Sequence, residues 1–325
     1  MKRREFITLL GGAAAWPLAA RAQQPMPLVG FLDSGSADWY PDRVAAFRHG
    51  LKEVGFIEGE NVAIDFRWAQ GRYDQLPALV AELIRRRAAV IFAATIQSAL
   101  AAKTATSTIP IAFAIGSDPV KFGLVASFNR PGGNMTGTSW LGGSILTAKR
   151  LELLHEVVPG ATTIAALVNP ANPVAADETR ELKESARALG LQLHIANAGT
   201  GREVDAAFAT WVQQRVGAVI VTADAFFTSR RDQLVVLTAR HALPAISQWR
   251  EFATAGFLMS YGTSLSEAYR QAAVYVGRIL KGEKPGDLPV QQAPKVELVI
   301  NLNTARALGI SFPLPLLGRA DEVIE

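Results

Sequence analysis

The chain has 325 residues with 33 Lys plus Arg, 29 Asp plus Glu, a net charge of +4 and no cysteine. The missing thiol excludes disulfides, thiolate metal sites, a cysteine nucleophile and a lipidated cysteine anchor. Lys2, Arg3, Arg4 and Arg21 against Glu5 concentrate the positive charge in residues 1–22, so no basic face remains for nucleic acid or anionic lipid.

The opening "MKRREFITLLGGAAAWPLAARAQQ" combines a positive start, a short Gly/Ala-rich apolar run and a small-x-small step at Ala20-Arg21-Ala22. This pattern predicts an export signal over 1–22, with Gln23 as the first mature residue. "RREF" points to the twin-arginine route, and the run is too short to span a membrane. The expected location is the periplasm, as a soluble monomer without a lipid anchor.

Past the leader, short apolar or β-branched runs alternate with amphipathic stretches. Leu28–Asp33 reads as a strand, Pro41–Val54 as a helix, Asn61–Trp68 as a strand and Tyr73–Arg87 as a helix. Ala89–Ala94 reads as a buried strand, Ala99–Thr106 as a helix and Ile109–Ile115 as a strand. Alternation of this kind predicts a parallel sheet covered on both faces.

The pattern then restarts. "FRHGLKEVGFIEGENVAIDF" is echoed by "LKESARALGLQLHIANA", "RYDQLPALVAELIRRRAAVIFAAT" by "REVDAAFATWVQQRVGAVIVTA", and "IPIAFAIGSDP" by "LPAISQWREF". Two similar α/β lobes are expected, residues 28–138 plus 263–289 and residues 139–262 plus 290–325. Connections are expected near Gly137-Thr138-Ser139, Tyr261-Gly262-Thr263 and Pro289-Val290. "SLSEAYRQAAVYVGRILKG" reads as a helix with a capping box from Ser264 to Glu267 and a stop at Gly282.

Ligands of open parallel sheets bind outside the carboxyl ends of the strands. The residues that follow the strands here are Ser34 with Trp39 and Tyr40, then Thr95, Gln97 and Ser98, then Ser117 and Asp118. In the second half they are Asn169 and Asn172, Asp224 with Phe226, and Trp249 and Arg250; Tyr261 completes the set. Asp118-Pro119 and Asn172-Pro173 read as helix starts whose free N–H groups suit an anion, or as ordinary caps. The rings read as walls for a ligand with a flat apolar part, or as packing between lobes.

There is no G-x-G-x-x-G, phosphate loop, G-x-S-x-G or H-E-x-x-H, and His49, His155, His194 and His241 are dispersed. Neither a cofactor nor a metal is expected.

Four segments carry a resemblance: "GSDPVKFGLVASFNRPGGNMTG", "REFATAGFLMSYG", "YRQAAVYVGRILKGEKPGDLPV" and "ELVINLNTARALGI". Together the chain resembles the substrate-binding proteins of ABC importers, in a branch some of whose members take aromatic amino acids. The resemblance implies a type I periplasmic-binding-protein architecture: two Rossmann-like lobes, three crossovers and a solute held between them. It also implies an inner-membrane permease as partner, and it places Thr95, Ser117, Asp118, Asn169 and Asp224 on cleft-facing turns. Ala225 and Asn172-Pro173 depart from the pattern of aromatic-amino-acid binders. An exported α/β hydrolase and a ligand-sensing receptor module are the alternative readings.

Overall fold

The structure is a computed structural model and describes residues 26–39, 41–140, 143–292 and 296–325. The expected export signal over 1–22 and the candidate Tyr40 lie outside the described residues.

Two sheets carry the chain. The first contains β1 (Leu28–Asp33), β2 (Ala63–Trp68), β3 (Val90–Ala93), β4 (Ile111–Ile115) and β5 (Met135–Ser139). The second contains β6 (Thr163–Val168), β7 (Gln192–Asn197), β8 (Ala218–Val221), β9 (Ala245–Ser247) and β10 (Met259–Thr263). β11 (Gln291–Gln292) then returns to the first sheet, and β12 (Val296–Asn301) and β13 (Glu322–Ile324) join the second. The spatial orders are β2-β1-β3-β4-β5-β11 and β7-β6-β8-β9-β10-β12-β13. Five strands in each half thus follow one winding, which the sequence echo had foreshadowed. All pairs run parallel except β10 with β12.

The chain changes sheet three times, after β5, after β10 and after β11. The predicted boundaries move by a few residues. Ser139 stays in the first sheet, Thr263 in the second, and Val290 packs in the first lobe's core just ahead of β11. Val290 is apolar and buried, and its N–H donates to the Phe128 carbonyl at 2.7 Å; both contacts hold it to the first lobe.

β3, β4 and β8 are buried at every position, as parallel strands covered on both faces must be. Each sheet has an apolar cluster on either face. Phe31, Phe47 and Phe92 centre one face of the first sheet, with rings 4.5–5.1 Å apart. Trp249 is partly buried against clusters of both lobes.

The helix Leu265–Leu280 follows β10 yet packs on the first lobe, against the helix Pro41–Glu53. Contact is backbone-close: a Cβ on Gly50 would stand 2.1 Å from the Arg270 carbonyl oxygen. Its apolar stripe of Leu265, Ala268, Ala272, Val276 and Ile279 is buried, and Gly282 leaves the helix at φ +101°. The capping box does not form. Glu267 instead takes Arg270 at 2.6 Å and Gln271 at 2.8 Å, because a fork three residues ahead outcompetes one backbone N–H.

Candidate functional site

The carboxyl ends of the two sheets face each other across a cavity of about 390 Å³. From the first lobe it is lined by Ser34 after β1, Thr95 and Gln97 after β3, and Ser117 and Asp118 after β4. From the second come Asn172 after β6, Asp224 after β8, and Gln248 and Trp249 after β9. Eight of the sequence-derived candidates therefore share one space: Ser34, Thr95, Gln97, Ser117, Asp118, Asn172, Asp224 and Trp249.

Local geometry explains their placement. Thr95 and Ser98 form a reciprocal cap that starts the helix Ile96–Ala105, with the Ser98 N–H donating to Thr95 Oγ1 at 3.2 Å and the Thr95 N–H donating to Ser98 Oγ at 2.9 Å. Ser98 is consequently fully buried behind the lining. Asp118 Oδ1 accepts from the N–H groups of Val120 (2.8 Å) and Lys121 (3.1 Å), but what it caps is a turn and not a helix. Asn172 likewise caps only the turn ahead of the helix Ala175–Ala188. The expected pair of helix N-termini aimed at an anion is thus not formed.

Asp224 is a hub. Its carboxylate accepts from Asn169 Nδ2 (2.9 Å), Asn172 Nδ2 (2.9 Å), the Phe226 N–H (2.8 Å) and the Tyr73 hydroxyl (2.6 Å). Burial raises its pKa, and these donors pull against that rise. Asn169 is buried beneath it as a support. Phe226 belongs to the second lobe's core, its ring centroid 5.4 Å from that of Phe227.

Tyr73 belongs to the first lobe, so its bond to Asp224 spans the cleft. Two ion pairs do the same: Arg43 to Glu251 at 2.8 Å, and Lys121 to Asp177. Arg43 also lies over the Trp249 ring, 5.3 Å from its centroid. The lobes are closed on each other around the cavity.

Several lining atoms are buried and have no hydrogen-bond partner among the described residues: Ser34 Oγ, Trp140 Nε1, Glu178 Oε2 and Gln248 Oε1. These residues are at most 5% exposed, with Ser34 at 0% and Glu178 at 5%. Burial pushes the Glu178 carboxyl up to about 8; Arg150 opposes the rise, while Asp224 and Glu181 add to it. Arg150 is itself held down to about 10 by burial. Behind Ser34, Asp33 accepts from the Gly35 N–H (2.6 Å) and the Tyr269 hydroxyl (3.1 Å), and burial raises its pKa as well.

Sequence reasoning did not single out Arg43, Tyr73, Glu178 or Tyr269 as site residues, while Gln248 opens the strand-end segment Gln248-Trp249-Arg250-Glu251 that it did read. Glu178 did leave a signal: with Ala175, Leu182 and Ala186 it forms the buried stripe of its helix, where an acid is out of place. Trp39 and Arg250 instead line an adjoining cavity of about 200 Å³, which shares Arg43, Gln248 and Trp249 with the first. Arg250 is engaged there by Glu322. Tyr261 packs in the second lobe, and its carbonyl accepts from Arg150 at 3.2 Å.

Among the described residues no group of three or more His, Cys, Asp or Glu could hold a metal ion. No described helix is long and apolar enough to cross a membrane.

A family model described as "ABC transporter substrate binding protein" matches residues 36–324. The chain is 27% identical over 262 residues to a tyrosine-binding protein of Clostridioides difficile, covering 81% of this chain and 75% of that one. A conserved domain protein from Vibrio cholerae superimposes with a TM-score of 0.84 at 28% identity, over 92% of this chain and 99% of the other. An ABC domain from Streptococcus pneumoniae in complex with L-Trp gives a TM-score of 0.83 at 24% identity, over the same shares, and is alike in fold.

Proposed function

The chain belongs to the ABC transporter substrate-binding protein family, and on that premise we propose that it is the periplasmic receptor of an importer, catching a small solute between its lobes and handing it to an inner-membrane permease. It works as an exported monomer, with residues 1–22 as a twin-arginine leader, and it releases the solute chemically unchanged.

The observation that carries this reading is the set of polar atoms without a partner among the described residues, Ser34 Oγ, Trp140 Nε1, Glu178 Oε2 and Gln248 Oε1, on residues of both walls of one cavity. Each costs free energy while it lacks a partner, on the order of 1–3 kcal/mol. A guest that satisfies them is bound, and because they sit on both lobes it is bound only when the lobes meet. Such a guest shifts the open–closed equilibrium by its differential affinity for the closed form.

Against the hydrolase alternative, the aspartates of the lining among the described residues are engaged: Asp118 with turn N–H groups, Asp224 with Tyr73, and Asp177 with Lys121. Relatives named for tyrosine and crystallised with L-Trp support a solute with an aromatic or heterocyclic part, which the rings of Trp140, Trp249 and Tyr269 would flank.

The test is a thermal-shift screen of the mature protein against a broad metabolite panel, with mass spectrometry of any recovered solute. A ligand selective for the folded form raises the melting temperature. A solute that returns altered would favour the enzyme reading.

A further inference from the structure

We propose, resting on the solute-binding reading, that the guest is a small organic cation, an amine or amidine carried on a flat ring, and that its N–H group docks on Glu178 Oε2.

The inference comes from the charge balance of the lining. Among the described residues, every cation that lines the cavity has a carboxylate partner. Arg43 is held by Glu251 at 2.8 Å, and Lys121 and Arg180 share Asp177, Arg180 at 2.9 Å. Glu178, on the helix Ala175–Ala188, is less well matched. It is drawn to the Arg150 guanidinium, which already donates to Thr147 Oγ1 at 2.7 Å and to the Tyr261 carbonyl at 3.2 Å, and its Oε2 accepts no hydrogen bond among the described residues. Asp224 adds a further repelling carboxylate beside Glu178. Its own acceptors are occupied by Tyr73, Asn169, Asn172 and the Phe226 N–H, so it offers Glu178 no relief.

A positive guest pairs with the carboxylate that Glu178 becomes when it releases its proton to solvent, whereas the lining cations among the described residues each already face a carboxylate. Among the unpartnered atoms the acceptors are Glu178 Oε2 and Gln248 Oε1, which suit a guest with more than one N–H. The donors among the four unpartnered atoms named above, Ser34 Oγ and Trp140 Nε1, are neutral. Trp140, Phe122 and Tyr269 bring rings to the lining, and a cation is attracted to a ring's π face. The cavity, about 390 Å³, falls at the small end of the range for ligand sites. The elevated pKa of Glu178 agrees, since a buried acid held up by like charges ionises when a cation arrives.

The test is calorimetric titration of the wild type and of Glu178→Gln with matched probes. Tyramine, tryptamine and benzamidine supply the cation; 4-hydroxyphenylacetate, indole-3-acetate and benzamide keep the rings without it. At least one cationic probe should bind ten-fold or more tighter than its counterpart, and Glu178→Gln should erase that preference while retaining its melting transition. Preference for the uncharged or anionic probes, equal binding by Glu178→Gln, or no binding of any cationic probe overturns the inference. The broad metabolite screen reads solute capture independently. A guest found there while the cationic probes fail sinks the charge assignment alone, and failure of both experiments sinks the reading beneath it.

Discussion

The Tyr73 hydroxyl donates to Asp224 Oδ2 at 2.6 Å, from the first lobe to the acid that organises the second lobe's binding loops. A single bond thus ties closure of the cleft to the order of its wall. Tyr73→Phe removes the bridge and leaves both lobes intact. A hydrogen bond to a charged group contributes about 1.5–3 kcal/mol, so solute affinity should fall roughly ten-fold or more. Small-angle scattering of Tyr73→Phe should show a larger radius at subsaturating solute, and an unchanged Kd would remove Tyr73 from the closing mechanism.

Asp224→Ala should act differently. It strands Asn169 Nδ2 and the Phe226 N–H in a buried setting, while Asn172 Nδ2 keeps only its bond to the Ala223 carbonyl at 3.0 Å. Losses of about 1–3 kcal/mol per stranded group predict a clear fall in the urea midpoint of the protein without solute. If the midpoint holds and only binding suffers, Asp224 touches the solute directly.

Stability should depend on pH through Glu178. Its carboxyl moves from an ordinary 4.5 to about 8 on folding, so between those values the folded form holds a proton that the unfolded chain has released. The contribution is complete below pH 4.5 and is lost as pH rises through 8. From pH 5 to pH 8 the solute-free wild type should lose about 2–4 kcal/mol relative to Glu178→Gln. Parallel melting curves for the two proteins across that range would contradict this.

Gly50→Ala tests the seam between the helix Pro41–Glu53 and the helix Leu265–Leu280. The new methyl would meet the Arg270 carbonyl at 2.1 Å, and backbone cannot step aside as a side chain would. Overpacking of this kind costs about 1–3 kcal/mol. The melting temperature should drop, and an unperturbed one would mean that the two helices part at no cost.

Export gives a last check. Arg3→Lys with Arg4→Lys should trap precursor in the cytoplasm if "KRREF" is read by the twin-arginine machinery. Normal secretion of the double variant would assign the leader to the general route.

Much of the fold was legible because strands buried on both faces must be apolar throughout. Leu28–Asp33 appears with its predicted ends, and the echo in the second half reproduces the β2-β1-β3-β4-β5 winding as β7-β6-β8-β9-β10. The strand-end rule then brought eight named residues to one cavity. It was blind to residues that reach the cavity from elsewhere. Tyr73 sits one turn ahead of a helix, Glu178 inside one, and Tyr269 on a helix that follows the other lobe's last parallel strand. Their relevance depends on how the lobes meet, and strand ends do not encode that. Ser264 failed as a capping-box residue for a related reason: Arg270 was a better partner for Glu267 than the local pattern could register.

Trp249 is wedged against cores of both lobes beneath the Arg43 guanidinium. Parting the lobes strips one of those surroundings from the indole and moves the charge away, so its emission colour and its quenching by iodide should track the hinge angle. The molecule thereby carries a native optical gauge of its own motion, and comparing wild type with Trp249→Phe would separate that signal from the other tryptophans without attaching a dye.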